Sequence, residues 1–278
     1  MPSSMRGPVA AEQIPGFSQQ DLRNRFLIED LLVAGRQVAI PTHYDRVVAV
    51  GVVPTDAEIE LTPIPEIRSE FFLEHREIGI VNVGGSGSIR AGGETHPMER
   101  EAVLYLGRGT RDVVFASDSA ENPAKYYGFS APAHTEYPSQ LGRPGEGTMR
   151  ELGDQLTSNR RSLRQVIHEN GIRSCQIVMG VTRLHPGNMW NTMPAHTHER
   201  RTEFYLYFDV PEDARVLHLM GEPSESRHML VANEQAIMSP SWSIHSGVGS
   251  QAYAFVWAMA GENQSFDDMD HVQITELT

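Results

Sequence analysis

Short runs rich in apolar and β-branched residues recur along much of the chain, and in the second half some of them place apolar residues with a period of two, as β-strands do. A first series of short β-rich runs occupies residues 37–40, 47–53, 77–83, 102–106 and 113–116. A second series extends from about residue 174 to residue 259. Turns rich in Gly, Pro and Asp separate the runs. The pattern therefore predicts an all-β protein built of many short strands.

Two segments depart from this period and are predicted to be short helices. Ser18 and Asp21 come just before the amphipathic run that begins at Leu22. A hydroxyl residue followed within a few positions by an acidic residue is typical of a helix N-terminus. The run at residues 157–168 is predicted to be a second helix that ends at Gly171. Both helices are short compared with the β-rich series, so they do not change the predicted class.

The chain also divides into an arm and two similar halves. Residues 1–17 are rich in Pro, Gly and Ala and are predicted to form an N-terminal arm. The polar stretch at residues 136–153 is predicted to link the halves. We therefore expect one β-domain at residues 18–150 and a second β-domain at residues 151–278.

Composition narrows the functional classes. The 278 residues carry a formal net charge of −13 at pH 7, which disfavours general electrostatic binding to nucleic acid or to an anionic membrane. No apolar run approaches the roughly 20 residues of a membrane helix, and the N-terminus lacks the apolar segment of a secretory signal. Cys175 is the only cysteine, so no intrachain disulfide can form, in agreement with a reducing compartment. We therefore expect a cytoplasmic protein.

Three potential metal ligands, His196, His198 and Glu203, lie close together, and a fourth, His245, follows five residues after a Pro. On a strand, the two His two residues apart face the same side, about 7 Å apart along the chain, so both can bind one ion. Glu203 is an odd number of residues from His198, so a bend near residues 199–201 is needed to return its carboxylate to that side. The spacing His-x-His-x4-Glu with a later His resembles the two-part motif of the cupin barrels.

The two halves resemble each other, but the first half lacks the metal motif. The segment that begins at Glu77 occupies a place similar to that of Glu203. The first half has no His-x-His pair, and Thr110 stands where His245 would be expected. An all-β pair of this kind suits a bicupin, two cupin-like β-barrels with a few short helices. We therefore expect metal only in the C-terminal barrel.

Four further side chains are candidates for the chemistry. Tyr205 shares the strand face of Glu203, and its hydroxyl could donate to a substrate oxygen. Arg201 has the same parity and Arg227 follows in a polar segment, so either guanidinium could bind a substrate carboxylate. Lys125 is the only Lys among the 23 basic residues, and burial readily tunes a Lys ammonium. Each also has an ordinary alternative as a core Tyr, a solvated or interface Arg, or a surface Lys.

Several long strings in the sequence resemble those of the 5-keto-4-deoxyuronate isomerase family. The likeness runs from about Leu22 to the C-terminus. The strings are Ala131-Pro-Ala-His-Thr135, Leu156-Thr-Ser-Asn-Arg-Arg161, Pro186-Gly-Asn-Met-Trp-Asn-Thr-Met-Pro194, His196-Thr-His-Glu-Arg-Arg201, Asn233-Glu-Gln-Ala236, Ser239-Pro-Ser-Trp-Ser-Ile-His-Ser-Gly-Val-Gly249, Gly261-Glu-Asn263 and Phe266-Asp-Asp-Met-Asp-His271.

This resemblance implies a cytoplasmic bicupin enzyme of pectin breakdown with one Zn²⁺ per subunit, assembled as a homohexamer. The family's zinc ligands map onto His196, His198, Glu203 and His245. The implied reaction is the aldose–ketose isomerisation of 5-dehydro-4-deoxy-D-glucuronate, a small acidic keto-sugar, to 3-deoxy-D-glycero-2,5-hexodiulosonate. A divalent cation suits this reaction because it polarises a carbonyl as a Lewis acid. The group that moves the proton stays open between Tyr205, Lys125 and a ligand carboxylate.

The residue pattern by itself is also compatible with other metals and other functions. Three imidazoles and a carboxylate also suit iron, manganese, cobalt or nickel. An Fe(II) cupin dioxygenase would consume oxygen, and a non-catalytic sugar-binding cupin would bind its ligand without turnover. The related 5-deoxy-glucuronate isomerase of inositol catabolism would carry out similar chemistry on a different sugar.

Overall fold

The structure is a computed structural model that describes residues 5–278. Within these residues the helical segments are α1 (Gln19–Phe26) and 3-10 helices at Ala11–Gly16, Pro65–Ile67, Gln155–Thr157 and Ile274–Glu276. The earlier strands are β1 (Leu27–Ile28), β2 (Gln37–Pro41), β3 (Val48–Val52), β4 (Ile59–Glu60), β5 (Arg76–Asn82), β6 (Gly87–Ala91), β7 (Glu94–Met98), β8 (Val103–Leu106), β9 (Val114–Ser117), β10 (Tyr126–Pro132), β11 (Gln140–Gly142) and β12 (Thr148–Leu152).

The later strands are β13 (Arg161–Ile167), β14 (Val178–Leu184), β15 (Trp190–Asn191), β16 (His196–Thr197), β17 (Arg201–Phe208), β18 (Val216–Glu222), β19 (Glu225–Val231), β20 (Ala236–Ser239), β21 (Ser246–Gly249), β22 (Ala254–Gly261) and β23 (Asp270–His271). The prediction of a mainly β protein is therefore confirmed. No helix in the described part of the chain is long and apolar enough to span a membrane.

The helix α1 begins where the sequence predicts it. The backbone N–H of Asp21 donates to the Ser18 hydroxyl at 3.2 Å, and the Asp21 carboxylate accepts from the Ser18 backbone N–H at 2.9 Å. This reciprocal pair satisfies two N–H groups that the helix would otherwise leave unpaired. Leu22 and Phe26, four residues apart, are both buried on one helix face. The helix ends at Phe26 because the next two residues form β1, which pairs with β20.

The described chain forms two compact units that interleave in sequence. The first unit contains residues 5–6, 30–148 and 166–179, and the second contains residues 7–29, 149–165 and 180–278. Most residues of the predicted arm therefore group with the second unit. The division into one domain before residue 150 and one after it stays a prediction.

The first unit is built on two antiparallel sheets. Their strand orders are β11–β8–β5–β10–β3–β2 and β4–β9–β6–β7. In the larger sheet, Ile78 of β5 lies opposite Leu106 of β8 and Ser130 of β10. Alternate residues of both sheets form one apolar core that includes Val50, Ile80, Ile89, Leu104 and Phe115. The five strands predicted in this half are confirmed, each to within one residue at either end.

A buried carboxylate organises part of the first unit. Glu77 in β5 is fully buried and accepts from the Tyr105 hydroxyl at 2.7 Å. The backbone N–H groups of Cys175, Gln176 and Ile177 also donate to it, at 2.7, 2.8 and 3.1 Å. A buried charge is tolerated when hydrogen bonds replace its water shell. Glu77 thereby fixes the three residues that lead into β14.

The second unit contains most of a seven-stranded sheet and a four-stranded sheet. Their strand orders are β1–β20–β17–β22–β14–β13–β12 and β15–β21–β18–β19. On the paired strands β17 and β22, Glu203 lies opposite Met259 and Tyr205 lies opposite Trp257. Because alternate strand residues point the same way, these side chains share one face of the seven-stranded sheet.

One prediction of local structure is wrong. The run predicted as a helix at residues 157–168 contains β13, which lies between β14 and β12 in the sheet. This run is polar, so the helix and strand periods are hard to tell apart in it. Hydrogen bonds to neighbouring strands decide its conformation, and these override weak local preferences. The predicted linker at residues 136–153 contains β11 and β12, and one boundary between the two units, at residues 148 and 149, falls within it, so its role as a link stays a prediction.

Candidate metal centre

Three segments of the second unit bring the four predicted ligands together. His196 lies in β16, and His198 follows that strand directly. A turn at residues 199–200 leads into β17, which contributes Glu203. His245 comes from the loop between β20 and β21. The turn lies where the spacing predicts a bend, and it returns Glu203 to the side of the histidines.

The donor atoms form a compact ligand set, comprising Nε2 of His196, His198 and His245 and Oε2 of Glu203, and all four residues are buried. The Nε2 atom of His196 lies 3.2 Å from that of His198 and 3.0 Å from that of His245. Oε2 of Glu203 lies 3.0 Å from Nε2 of His198 and 2.8 Å from Nε2 of His245. Donors bound at about 2.0–2.1 Å to one ion lie about 2.9–3.4 Å apart. The ligand set therefore has the size of a transition-metal site.

The hydrogen bonds of His198 show why a cation fits at this point. Nδ1 of His198 lies 2.6 Å from the backbone oxygen of Asp268. A carbonyl oxygen only accepts, so Nδ1 carries the proton, and Nε2 of the neutral ring holds a lone pair. That lone pair faces the Glu203 carboxylate at 3.0 Å. Two acceptors so close repel each other unless a cation lies between them, so the ligand set fits a bound metal ion.

Burial and neighbouring groups favour the protonation states that metal binding needs. Burial lowers the pKa of His196 well below its usual value, and the adjacent His245 and His198 lower it further. His196 is therefore neutral at physiological pH, which is the form of an imidazole that binds a metal.

The chemical nature of the ligand set favours divalent transition metals as a class. Within residues 5–278, it is the one group of three or more His, Cys, Asp or Glu residues whose ligand atoms all lie within 4.8 Å of one another. Three imidazoles and one carboxylate suit zinc and also other divalent transition metals, whose selection depends on availability and geometry. The residues therefore fit a divalent transition metal without choosing among these ions.

Three residues of the ligand set, His196, His198 and Glu203, line a cavity of about 260 Å³ in the second unit. One wall is the inner face of the seven-stranded sheet, where Leu163, Phe255, Trp257 and Met259 supply apolar surface. Ligand pockets commonly measure about 300–1,000 Å³, so this cavity suits a molecule of monosaccharide size. The polar side chains that line it, apart from the ligands, include Arg150, Arg161, Thr182, Thr192, Tyr205 and His271.

Tyr205 lies in this cavity beside the ligand set, on the face that strand parity predicts. Its hydroxyl is 3.0 Å from Oγ1 of Thr192, and its ring makes an edge contact with His245 at 5.6 Å between centroids. Burial, followed by the negative charge of Glu203, raises the pKa of Tyr205 well above its usual value. The residue is therefore a neutral phenol at physiological pH, and its O–H group can donate a hydrogen bond.

The two predicted substrate-binding arginines have other surroundings. Arg201 is buried, and its Nη2 donates at 2.8 Å to the backbone oxygen of Asp268, the atom that also accepts from His198. Arg227 forms an ion pair with Glu225. Neither residue lines the cavity. Arg201 instead donates to the backbone oxygen that orients His198, and a direct role of either residue in substrate binding stays a prediction.

Lys125 belongs to the first unit, whereas the ligand set belongs to the second. The backbone N–H of Lys125 donates to Oδ1 of Asn82 at 3.0 Å, and its carbonyl accepts from the N–H of Val83 at 2.8 Å. Lys125 does not line the cavity around the ligand set. Its role as a proton carrier stays a prediction.

Arg161 is a cavity cation that the sequence analysis missed. It begins β13, in the run predicted as a helix, and its Nη1 donates to the backbone oxygen of Asn159 at 2.8 Å. Among the residues that the structure describes, no carboxylate forms an ion pair with it. Burial lowers the pKa of Arg161, and the hydroxyls of Tyr205 and Tyr253 act in the opposite direction. On a strand, Arg161 and Leu163 face the same side, so the correct period would have revealed both as cavity residues.

The loop between β22 and β23 was also missed. Phe266 in this loop packs against Trp257 with 5.5 Å between ring centroids, and the guanidinium of Arg150 lies 5.0 Å from the centre of the Phe266 ring. The backbone oxygen of Asp268 in the same loop accepts from His198. One loop therefore closes part of the cavity and orients a ligand. No side-chain pattern could have revealed the second contact, because a main-chain atom makes it.

A protein-family model described as the KduI/IolB family matches residues 48–274, which include the whole ligand set. The chain belongs to the KduI/IolB family. The resemblance to the 5-keto-4-deoxyuronate isomerases is thereby confirmed at the level of the family. Because the match extends over residues of both compact units, the family relationship applies to most of the chain.

Curated members of this family are similar over nearly their full length. The 4-deoxy-L-threo-5-hexosulose-uronate ketol-isomerase of Kineococcus radiotolerans is 60% identical over 275 residues, which cover 98% of this chain and 99% of the relative. The Bacillus pumilus protein of the same name is 52% identical over 272 residues, covering 98% of each chain. The protein of that name from Escherichia coli is 48% identical over 260 residues, covering 93% of this chain and 94% of the relative.

Solved structures identify the KduI/IolB architecture as a bicupin. An IolB-like protein from Salmonella typhimurium superimposes with a TM-score of 0.71 at 16% identity and covers 89% of this chain and 96% of its own. The oxalate decarboxylase of Lactobacillus farciminis superimposes with a TM-score of 0.61 at 11% identity and covers 90% of this chain and 89% of its own. At such identities the likeness concerns the fold alone. The bicupin prediction is confirmed.

Proposed function

We propose that this protein is a metal-dependent ketol-isomerase that converts 5-dehydro-4-deoxy-D-glucuronate to 3-deoxy-D-glycero-2,5-hexodiulosonate in pectin and polyuronate degradation. The observation that carries the proposal is a complete, buried set of three His and one Glu, of which His196, His198 and Glu203 line a monosaccharide-sized cavity. It occurs in a chain that is 60% identical, end to end, to a ketol-isomerase that acts on a hexosulose uronate.

The ligand set would hold the metal through the three Nε2 atoms and the Glu203 carboxylate. When bound there, a divalent transition metal supplies Lewis-acid polarisation of a carbonyl oxygen, which acidifies the neighbouring C–H bond. The backbone oxygen of Asp268 keeps the lone pair of His198 directed at that position by accepting from Nδ1. The donors are buried and prearranged, so little reorganisation accompanies substrate binding.

Arg161 is our candidate for binding the substrate carboxylate. A half-buried guanidinium in a largely apolar cavity needs an anion, and no carboxylate of the described residues supplies one. A uronate carboxylate would satisfy this cation through a charge-assisted pair of hydrogen bonds. Binding at that end of the substrate would hold its other end against the ligand set, because both features line the same small cavity.

The isomerisation moves one hydrogen between neighbouring carbons and one proton between their oxygens. Tyr205 is our candidate for the oxygen-bound proton, because it is a neutral phenol beside the ligand set and its O–H group can donate to a substrate oxygen. The Thr192 hydroxyl can either accept a hydrogen bond from the Tyr205 hydroxyl or donate one to it. Lys125 is the second candidate, supported by the family resemblance of its surrounding segment. Unchanged turnover in a Lys125→Met or Tyr205→Phe variant would remove that residue from the mechanism.

Three finer features are also proposed. Zn²⁺ as the native ion, a homohexamer as the assembly and the cytoplasm as the location are all supported by the family resemblance in the sequence. Zinc is further supported by the His-rich ligand set, since imidazole is a preferred zinc ligand. Metal analysis of protein purified without affinity-tag metals, combined with light scattering for the assembly, tests the first two proposals directly.

A coupled assay with 5-dehydro-4-deoxy-D-glucuronate, run with and without chelator, tests the main proposal. We expect ketol product from the metal-loaded protein, loss of product after chelation, and recovery when a divalent metal is restored. Metal-loaded protein that forms no product would contradict the proposal. Oxygen consumption in the same assay would instead indicate an Fe(II) dioxygenase, and binding without turnover would indicate a sugar-binding cupin. Preference for 5-deoxy-glucuronate would indicate the isomerase of inositol catabolism.

A further inference from the structure

Two buried polar groups of the cavity wall have no hydrogen-bond partner among the residues that the structure describes. They are the hydroxyl Oγ1 of Thr182 on β14 and the indole Nε1–H of Trp257 on β22. Thr182 is 1% exposed and Trp257 is 3% exposed, and both residues line the cavity that contains the ligand set. Leaving such groups unpaired costs free energy, so a partner is expected in the functional protein.

The sheet places these groups in a row with two other donors. β13, β14, β22 and β17 are consecutive neighbours in the seven-stranded sheet. They bring Arg161, Thr182, Trp257 and Tyr205, respectively, to the same cavity. The guanidinium and the indole can only donate, and the two hydroxyls can donate as well. A ligand that pairs with this donor row needs oxygen acceptors on the side that faces it.

The backbone at Gly180 is built to accommodate the indole. A Cβ atom at Gly180 would lie 2.3 Å from Cζ2 and 2.8 Å from Cε2 of Trp257, which no real side chain tolerates. Cε2 is bonded to Nε1, so the N–H end of the indole lies against β14. Thr182 is two residues further along that strand and faces the same side. The absence of a side chain at residue 180 thus brings the indole N–H toward the strand that carries the Thr182 hydroxyl.

We propose that Thr182 and Trp257 form a specificity subsite that binds acceptor oxygens of the acidic, oxygen-rich end of the substrate. The inference rests on the proposed isomerase function and extends it to two residues that do not touch the ligand set. A sugar acid that lacks an oxygen at this position leaves both donors buried and unpaired. Sites built this way reject such analogues much more strongly than an apolar wall would. The pair therefore selects for an oxygenated uronate over a more reduced sugar.

The test removes each donor in turn: Thr182→Val keeps the shape of the side chain, and Trp257→Phe removes the N–H together with one ring of the indole. Thr182→Val and Trp257→Phe are expected to raise KM for 5-dehydro-4-deoxy-D-glucuronate by about threefold to tenfold each, the effect of one neutral hydrogen bond, while kcat changes less than twofold. Thr182→Ser keeps the hydroxyl and should restore the wild-type KM. Tyr127→Phe is the matched control, because it removes a buried hydroxyl that lacks a partner in the first unit. Metal content measured for each variant checks that the ligand set is intact.

The outcomes separate the subsite from the isomerase activity. If the wild-type protein turns over the substrate but both donor variants keep its KM, the subsite is wrong and the isomerase function stands. If the wild-type protein has no isomerase activity, the subsite is tested by calorimetric titration of the metal-loaded protein with D-glucuronate. Weaker D-glucuronate binding by both variants, but not by the Tyr127→Phe control, then supports the subsite. Equal binding by all proteins, or no binding to the wild type, overturns it.

Discussion

The Nδ1–H group of His198 donates to the backbone carbonyl oxygen of Asp268 at 2.6 Å. Nη2 of Arg201 donates to the same oxygen at 2.8 Å. This shared acceptor fixes the tautomer of His198, a candidate metal ligand, and connects it to the loop that lines part of the cavity. Groups that orient a ligand in this way commonly change metal affinity about 10-fold to 100-fold when they are removed.

Replacement of Arg201 by Met should therefore weaken metal binding without removing a ligand. We expect the dissociation constant, measured by competition with a chromophoric chelator, to rise about 10-fold to 100-fold. Arg200→Met is the matched control, since the neighbouring Arg200 is exposed and pairs with Glu262. Equal metal affinity in the Arg201→Met and Arg200→Met variants would contradict a role of the shared acceptor in holding His198.

Replacement of Arg161 by Met should impair use of the acidic substrate. A hydrogen bond to a charged group contributes about 1.5–3 kcal/mol, so kcat/KM should fall about 10-fold to 150-fold, mainly through KM. Arg160→Met tests the specificity of the effect, because Arg160 is adjacent but exposed. Metal content should stay equal to that of the wild type. A kcat/KM that matches the Arg160→Met value would remove Arg161 from substrate binding.

His218 should make the fold sensitive to acid. It is fully buried, its Nδ1 forms a hydrogen bond with the Tyr207 hydroxyl at 2.7 Å, and burial lowers the pKa of His218 to about 3. An unfolded His titrates near about 6.5, so between these two pKa values the unfolded chain binds the extra proton. Stability therefore falls as the pH drops below the unfolded pKa, by about 2 kcal/mol between pH 7 and pH 5 from this residue.

Urea unfolding of metal-free wild-type protein and of a His218→Gln variant checks this pH dependence. The Gln amide can still accept from Tyr207 but does not titrate. The difference in unfolding free energy between pH 7 and pH 5 should shrink by about 2 kcal/mol in the variant. The same pH dependence in both proteins would show that His218 is not the group responsible.

Replacement of Glu77 by Gln should destabilise the first unit while leaving metal content unchanged. The amide brings its own N–H₂ donor toward a site where four donors converge on the carboxylate. We expect a loss of about 3 kcal/mol in unfolding free energy, as for other broken buried charge networks. Glu60→Gln, at an exposed position of β4, is the control. A loss below about 0.5 kcal/mol, the usual surface effect, would show that the network contributes little.

The candidate ligand set could be predicted from the sequence because its information is local. The strand period places His196 and His198 on one side, and the odd spacing to Glu203 demands a bend, which the turn at residues 199–200 supplies. Strand alternation likewise predicts Tyr205 beside Glu203. The five strands of the first half follow from short runs rich in apolar and β-branched residues that Gly, Pro and Asp turns separate.

The remaining features depend on contacts between distant segments. The polar run that contains Arg161 has no clear period, and its pairing between β14 and β12 decides that it is a strand. That pairing turns Arg161 into the cavity, whereas Arg201, the sequence candidate, is buried behind a ligand because its partner is a main-chain oxygen of residue 268.

The sequence by itself therefore determined the all-β class, the family and the identity of the ligand set, because residue type and short spacing carry that chemistry. Only the tertiary structure decided which cation lines the cavity, which tautomer His198 adopts and which donors on neighbouring strands face the substrate. Those outcomes depend on long-range strand pairing and on backbone acceptors, and neither leaves a pattern of side chains along the chain.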